Sequence, residues 1–300
     1  MGFLHLARPW VGGIVGWALA WGVQAAPVCD KPVYLTFDTG HMGVAPLIVE
    51  TLKRFDAKAT FFLANEPTQT GGQTLDEKWA PWWKALAAQG HDFGAHTWDH
   101  DVWLEDLPDG RFKVRTAAGM QKPVVREVTA QQYCDSLDKV AKRFTEMTGK
   151  PLGPIFRAPA GKASPALLAA TQRCGYTHVG WSAAGFLGDE LSSSRYPNAM
   201  LLERALSDIR PGDILMAHLG IWSRQEPWAP AVLEPLMQGL KDKGMCFAPL
   251  HEHPRFAGLF KAAAAHPAAS AASHAASNPI SKLEGKPDAK PESKPGGRKP

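Results

Sequence analysis

No run in this sequence reaches the roughly 20 consecutive apolar residues that a helix needs to cross a bilayer. The longest, from Val11 to Val23, is about 13 residues and is interrupted by glycines. It follows Arg8 and precedes the small residues Ala25 and Ala26, so residues 1–26 read as a signal peptide cleaved after Ala25. An exported protein, periplasmic or secreted, is expected, with membrane contact only through this segment if it stays uncleaved. Cys29 follows Pro27 and Val28 rather than a small-residue box, which argues against a lipid anchor.

Excess charge is equally scarce: 33 Lys and Arg stand against 29 Asp and Glu. From Lys261 to Pro300 the chain holds seven Lys or Arg against three Asp or Glu, an excess of four that equals the whole formal net charge of +4. The rest is near neutral, which removes the electrostatic ground for nucleic-acid binding. Residues 261–300 are rich in Ala, Pro, Ser and Lys, have almost nothing to build a core, and read as a disordered tail. Truncation after Phe260 is expected to leave stability nearly unchanged. Only four cysteines are present, all beyond the cleavage point, in a compartment that permits disulfides.

Between the ends, short apolar runs alternate with helical patterns, the mark of parallel strands joined by crossover helices. Strands are expected at 33–37, 59–63, 91–95, 154–157, 178–181, 213–217 and 245–250. Helices are expected at 45–55, 79–89, 130–148, 164–174, 200–209 and 229–243. Asp109-Gly110 before alternating Phe112 and Val114 reads as a hairpin that follows His100 closely. The fold class is α/β, a distorted (β/α) barrel over residues 31–255, whose chemistry belongs where strands end. In such a barrel Cys29 and Cys246 lie at the face away from the site and are expected to pair. Cys134 and Cys174 are expected at opposite faces, unpaired.

Four strand ends carry polar groups: Thr36 to Gly40, His96 to His100, Arg157 to Gly161, and the apolar run ending at His218. Two histidines four apart place both imidazoles on one side of a helical turn and suit a divalent metal. A nearby carboxylate, Asp38, could take a proton from attacking water, and His218 could protonate a leaving amine. Each has a plainer structural reading, as a cap, a core histidine or an ion-pair partner.

In order and context these segments resemble the polysaccharide deacetylase family (NodB homology, carbohydrate esterase family 4), with Ala59 to Phe62 resembling its second strand. The resemblance covers about residues 31–250. It implies a NodB-type barrel that hydrolyses the N-acyl bond of an amino sugar, on a carbohydrate polymer or a lipid-linked sugar. It implies Asp38 as base, Arg157 tethering it, His218 as acid, and His96 and His100 as ligands of a divalent metal, zinc by expectation. Asp189 is the candidate carboxylate behind His218.

The resemblance fails at Thr39, where the family carries a second aspartate that binds the metal. Asp38 itself or His41 are the candidates for the missing third ligand. Two alternatives stand beside the deacetylase: a catalytically impaired glycan-binding barrel, and a metal-independent amidohydrolase acting on a small amide or ureide. Trp222, Pro159 and Trp103 are the candidate sugar contacts.

Overall fold

The structure, a computed structural model, describes residues 1–2, 29–116 and 123–265. The expected signal segment and the chain beyond Ala265 lie outside the described residues. Among those described, no helix is long and apolar enough to cross a membrane.

Seven parallel strands form the main sheet: β1 (Pro32–Asp38), β2 (Thr60–Leu63), β3 (Asp92–Ala95), β7 (Ile155–Phe156), β8 (Thr177–His178), β9 (Ile214–His218) and β10 (Cys246–Phe247). Strand β1 is central. It pairs with β9 along Tyr34 to Asp38, with β2 at Thr36 to Asp38, and with β10 at Pro32 and Val33. From β2 the order continues through β3 and β7 to β8. The helices are α1 (Ala45–Arg54), α2 (Ala80–Ala88), α3 (Ala130–Thr148), α4 (Pro165–Arg173), α5 (Asn198–Asp208), α6 (Leu233–Asp242) and α7 (Ala257–Ala265).

The period of two along β1 explains the layering. Val33, Leu35 and Phe37 belong to the large cluster shared with the helices, including Ile48, Trp83 and Leu236. Tyr34, by contrast, joins Phe62, Ile155 and Val179 in a second cluster closed by Leu250 and Phe256. Thr36 and Asp38 share the Tyr34 face and are buried. The small inner cluster therefore carries Asp38 at its upper rim.

The barrel is distorted between β8 and β9. Instead of a continuing β8, the segment after it turns to pair with β9: Ser182 N–H bonds to Ile214 O, Met216 N–H to Gly185 O, and Leu187 N–H to Met216 O. A Cβ at Gly185 would stand 1.9 Å from the Ile214 carbonyl oxygen, so only glycine permits this approach. The expected strand to Trp181 is accordingly two residues long, and the one expected to Leu250 ends at Phe247.

The expected hairpin is part of a three-stranded antiparallel sheet, β4 (Asp101–Asp106), β5 (Phe112–Thr116) and β6 (Val124–Val128), entered directly from His100. Lys261 to Ala265, expected as the start of the tail, continue α7, in keeping with the high helix propensity of an alanine run.

Cys29, just before β1, and Cys246, at the start of β10, form a disulfide, as the parallel pairing of β1 with β10 implies. Cys134 and Cys174 are also bonded, against expectation. That expectation assumed two helices in step. In the fold α3 has 19 residues and α4 nine, and their offset sets the second turn of α3 beside the end of α4. Cys134 Sγ lies 3.9 Å from Ala170 O, and one turn further Asp138 accepts a hydrogen bond from the Tyr176 hydroxyl at 2.8 Å.

The Cys29–Cys246 link closes a separation of 217 residues. Its replacement by two serines should cost about 2–5 kcal/mol in urea unfolding, and peptide mapping without reductant should return both pairs. A loss below about 1 kcal/mol would show that strand pairing alone holds β10.

Candidate active site

The parallel register brings the four motif residues to one edge. Asp38 and His218 are direct partners across β1 and β9. His96 continues the ladder beyond β3 by donating its N–H to Leu63 O, and Arg157 continues β7 by donating to Ala95 O.

Arg157 is fully buried. Its Nη1 donates to Asp38 Oδ1 at 2.7 Å, Nε to Val179 O at 3.1 Å and Nη2 to Gly180 O at 3.2 Å. Its guanidinium lies 4.3 Å from the Phe62 ring centroid and 5.6 Å from that of Trp181. Burial alone would raise the Asp38 carboxyl, but the charge and hydrogen bond of Arg157, helped by the charge of His218, outweigh it and hold the pKa below its usual value. Asp38 is thus an anion with Oδ1 engaged and Oδ2 directed at the site, 3.7 Å from His96 Nε2.

His96 Nδ1 is 2.9 Å from the Arg157 carbonyl, which can only accept. The ring proton therefore sits on Nδ1, and Nε2 presents a lone pair. Burial pushes its pKa down to about 4, so the imidazole is neutral. His100 stands with its ring centroid 4.9 Å away. The connecting segment is not the helical turn that the spacing led us to expect: Thr97 and His100 have φ of 57° and 52°, and Asp101 N–H bonds to Thr97 Oγ1 at 2.7 Å. Positive φ at two non-glycine residues is strain held by the surrounding contacts.

The place of the missing aspartate is closed. Thr39 is buried and its Oγ1 accepts the Ala64 N–H at 3.0 Å. His41, one of the two candidate replacements, accepts the Gly43 N–H on Nδ1 at 2.9 Å and packs on Gly220. Burial lowers its pKa, so the ring is neutral with its proton on Nε2, and as placed it offers no free lone pair.

His218 is held by Asp189. Its backbone N–H donates to Asp189 Oδ2 at 2.6 Å, and its Nδ1 lies 3.1 Å from Oδ1. Burial would lower its pKa, but Asp189, with help from Asp38 and Glu190, raises it to about 9. His218 is therefore an imidazolium whose Nδ1–H is occupied and whose other N–H is left for chemistry.

Of the expected sugar contacts, Trp222 is 66% exposed and rests edge-on against His41, ring centroids 5.0 Å apart. Trp103 has its indole N–H on Asp106 at 3.0 Å, and Asp106 in turn accepts from Ser164 at the start of α4, so this ring is tied to the frame. Pro159 is buried in a turn whose Gly161 packs against Trp181. Neither Trp103 nor Pro159 faces open solvent as Trp222 does. Glu66, in the loop after β2, has no counterpart in the motifs, yet its charge acts on both His41 and His96.

A family model described as polysaccharide deacetylase matches residues 25–179. The chain belongs to that family. The Bacillus subtilis peptidoglycan-N-acetylmuramic acid deacetylase PdaA is 25% identical over 217 residues, covering 72% of this chain and 70% of that protein. Its solved structure superposes with a TM-score of 0.52 over 74% of this chain and 80% of that one, at 25% identity. A chitooligosaccharide deacetylase from Azorhizobium caulinodans is 26% identical over 243 residues, 76% of this chain and 97% of that protein. A Bacillus anthracis protein described as a family 4 pseudoenzyme shares the fold, with a TM-score of 0.53 at 19% identity over 74% of this chain and 65% of its own.

Divalent-metal dependence is general in this family, and the donors at this rim fit a cation in part. His96 Nε2 and the neighbouring His100 imidazole suit a borderline cation. Among the described residues, no cluster of three His, Cys, Asp or Glu side chains stands close enough to hold a metal ion. Glu66 Oε2 is buried without a hydrogen-bond partner, an orphaned oxygen of the type that cations satisfy. The residues fit a cation at two positions, with a carboxylate still to be drawn in.

The Arg157–Asp38 pair makes a direct prediction. Arg157→Met leaves a carboxylate buried and unpaired and should cost about 3–5 kcal/mol, measured by urea unfolding. Adding Asp38→Leu should return much of that loss. A single variant as stable as wild type would show that Asp38 is not a buried anion.

Proposed function

We propose that the protein is an exported hydrolase of carbon–nitrogen bonds other than peptide bonds. It removes N-acetyl, or N-formyl, groups from amino sugars of a cell-envelope polysaccharide, acting as a monomer in the periplasm or outside the cell. The observation that carries this reading is the opposite charge of two buried neighbours: Asp38 is held anionic by Arg157, and His218 is held protonated by Asp189. Amide hydrolysis needs a base for water and an acid for the leaving nitrogen, and the pair supplies both at neutral pH.

In this mechanism Asp38 Oδ2 accepts the proton of the attacking water, while Arg157 fixes the carboxylate's orientation. As the tetrahedral intermediate collapses, the free N–H of His218 gives its proton to the sugar nitrogen, and Asp189 stabilises the imidazolium before transfer. His96 and His100 would bind a divalent cation, zinc in our reading, which supplies Lewis-acid polarisation of the acyl carbonyl. Trp222, exposed beside His41, offers an apolar face to a pyranose ring. The named activities of PdaA and of the chitooligosaccharide deacetylase support an N-acetylated glycan as substrate.

Acetate release from N-acetylglucosamine oligomers tests the reading. His218→Ala should lower kcat by about 100-fold or more. Because His218 acts in its protonated form, activity should fall as pH rises through about 9. Asp189→Asn removes the largest of the charges that raise it, the others facing it being Asp38 and Glu190, so the alkaline limb should move down toward about 6.5. An unmoved limb would assign the acid to another group.

One observation favours a second reading, a glycan-binding barrel without catalysis: Thr39 closes the position of the ligand aspartate. Metal content and acetate release of wild type beside His96→Ala and Thr39→Asp separate the two. Metal and activity in wild type, both lost in His96→Ala, support the hydrolase. Activity appearing only in Thr39→Asp supports the binding barrel.

A further inference from the structure

We propose that Glu66 is the carboxylate that completes the cation site of this chain, filling from a loop the role that Thr39, just past the end of β1, cannot fill. The inference rests on the metal-dependent reading above and names a residue outside the motifs that define the site.

Three backbone tethers put Glu66 there. Its neighbour Asn65 donates its N–H to Trp98 O at 2.8 Å, so the loop is bound to the turn that joins His96 to His100. On the other side Gln69 N–H bonds to His41 O at 2.8 Å. Ala64, two residues before Glu66, donates to Thr39 Oγ1 itself. Glu66 therefore lies in a loop strung between Thr39, His41 and the histidine turn. Its own backbone is fixed at both ends, N–H to Thr74 Oγ1 at 3.1 Å and C=O from Thr74 N–H at 2.8 Å.

The side chain has no competing duty. Its Oε2 is buried without a partner, and no ion pair forms between Glu66 and any Lys, Arg or His among the described residues. An unpartnered buried carboxylate oxygen is costly, and a neighbouring cation offsets that cost. Its charge acts on the imidazoles His96 and His41, both neutral. Of these, His96 has a free lone pair on Nε2 and His41 has none. A cation shared by His96, His100 and Glu66 would satisfy the orphaned oxygen and give two nitrogens and one carboxylate, a set used by catalytic zinc sites. Three rotatable bonds let the carboxylate close on the cation without breaking a hydrogen bond at Oε2.

The test is Co²⁺ titration of the full chain, followed by calorimetry and by the visible absorption of the bound ion, for wild type, Glu66→Gln, Thr39→Asp and the double variant. Thermal midpoints without metal verify that each is folded. Glu66→Gln should raise the Kd for Co²⁺ by at least about 10-fold and change the spectrum, and Thr39→Asp in that background should restore binding. A Kd for Glu66→Gln within twofold of wild type would overturn the assignment. So would a wild type that releases acetate yet binds no Co²⁺, which leaves the hydrolase reading standing. Tight binding lost in Glu66→Gln, with no acetate released by wild type on any glycan tried, supports the site while refuting the deacetylase reading.

Discussion

The rest of the site depends on one buried ion pair. Arg157 has no contact with solvent, and a guanidinium in that position costs several kcal/mol unless its donors are satisfied. The fold meets this with a carboxylate on β1, two carbonyls beyond β8, and two aromatic faces. The consequence is mechanical as well as electrostatic. One side chain joins the ends of β1, β7 and β8, on the side of the barrel where β8 is only two residues long and does not pair with β9. Asp38 is thereby an anion of fixed orientation before substrate arrives, and the Arg157 carbonyl fixes the tautomer of His96 as well. A single residue sets the states of both the base and a candidate ligand.

Elements with strong local signals were legible in the sequence. Helix α3 runs over 130–148 as expected because Thr129 and Gln132 form a reciprocal capping box and Gly149 takes the left-handed conformation at its end. Strand β1 was legible because it is buried on both faces. Strand β6 was not, since four of its five residues are exposed and alternate nothing. The Cys134–Cys174 bond was missed for a different reason. Helix lengths were readable, but the offset of α3 against α4 is a tertiary quantity that no local pattern encodes.

The site divides the same way. Asp38, His96, Arg157 and His218 were readable because each ends a strand, and parallel register delivers strand ends to one rim. Asp189 was readable only as a candidate. Its distance of 29 residues from His218 reflects the irregular segment that turns back onto β9, and that turn depends on the close approach at Gly185. Glu66 carried no signal at all. It lies in a loop, and only its neighbours' hydrogen bonds to Trp98, His41 and Thr39 reveal where it stands.

A neutral threonine where the family carries a second aspartate changes the charge balance at the end of β1. Two adjacent carboxylates beside a single buried arginine would leave one negative charge uncompensated, and such a site is held together by its cation. Here Thr39 is neutral and its hydroxyl is already hydrogen-bonded to Ala64, so Arg157 and Asp38 balance one to one. Glu66 takes no part in that pair, so a cation it helped to hold would be bound without disturbing the balance of Arg157 and Asp38.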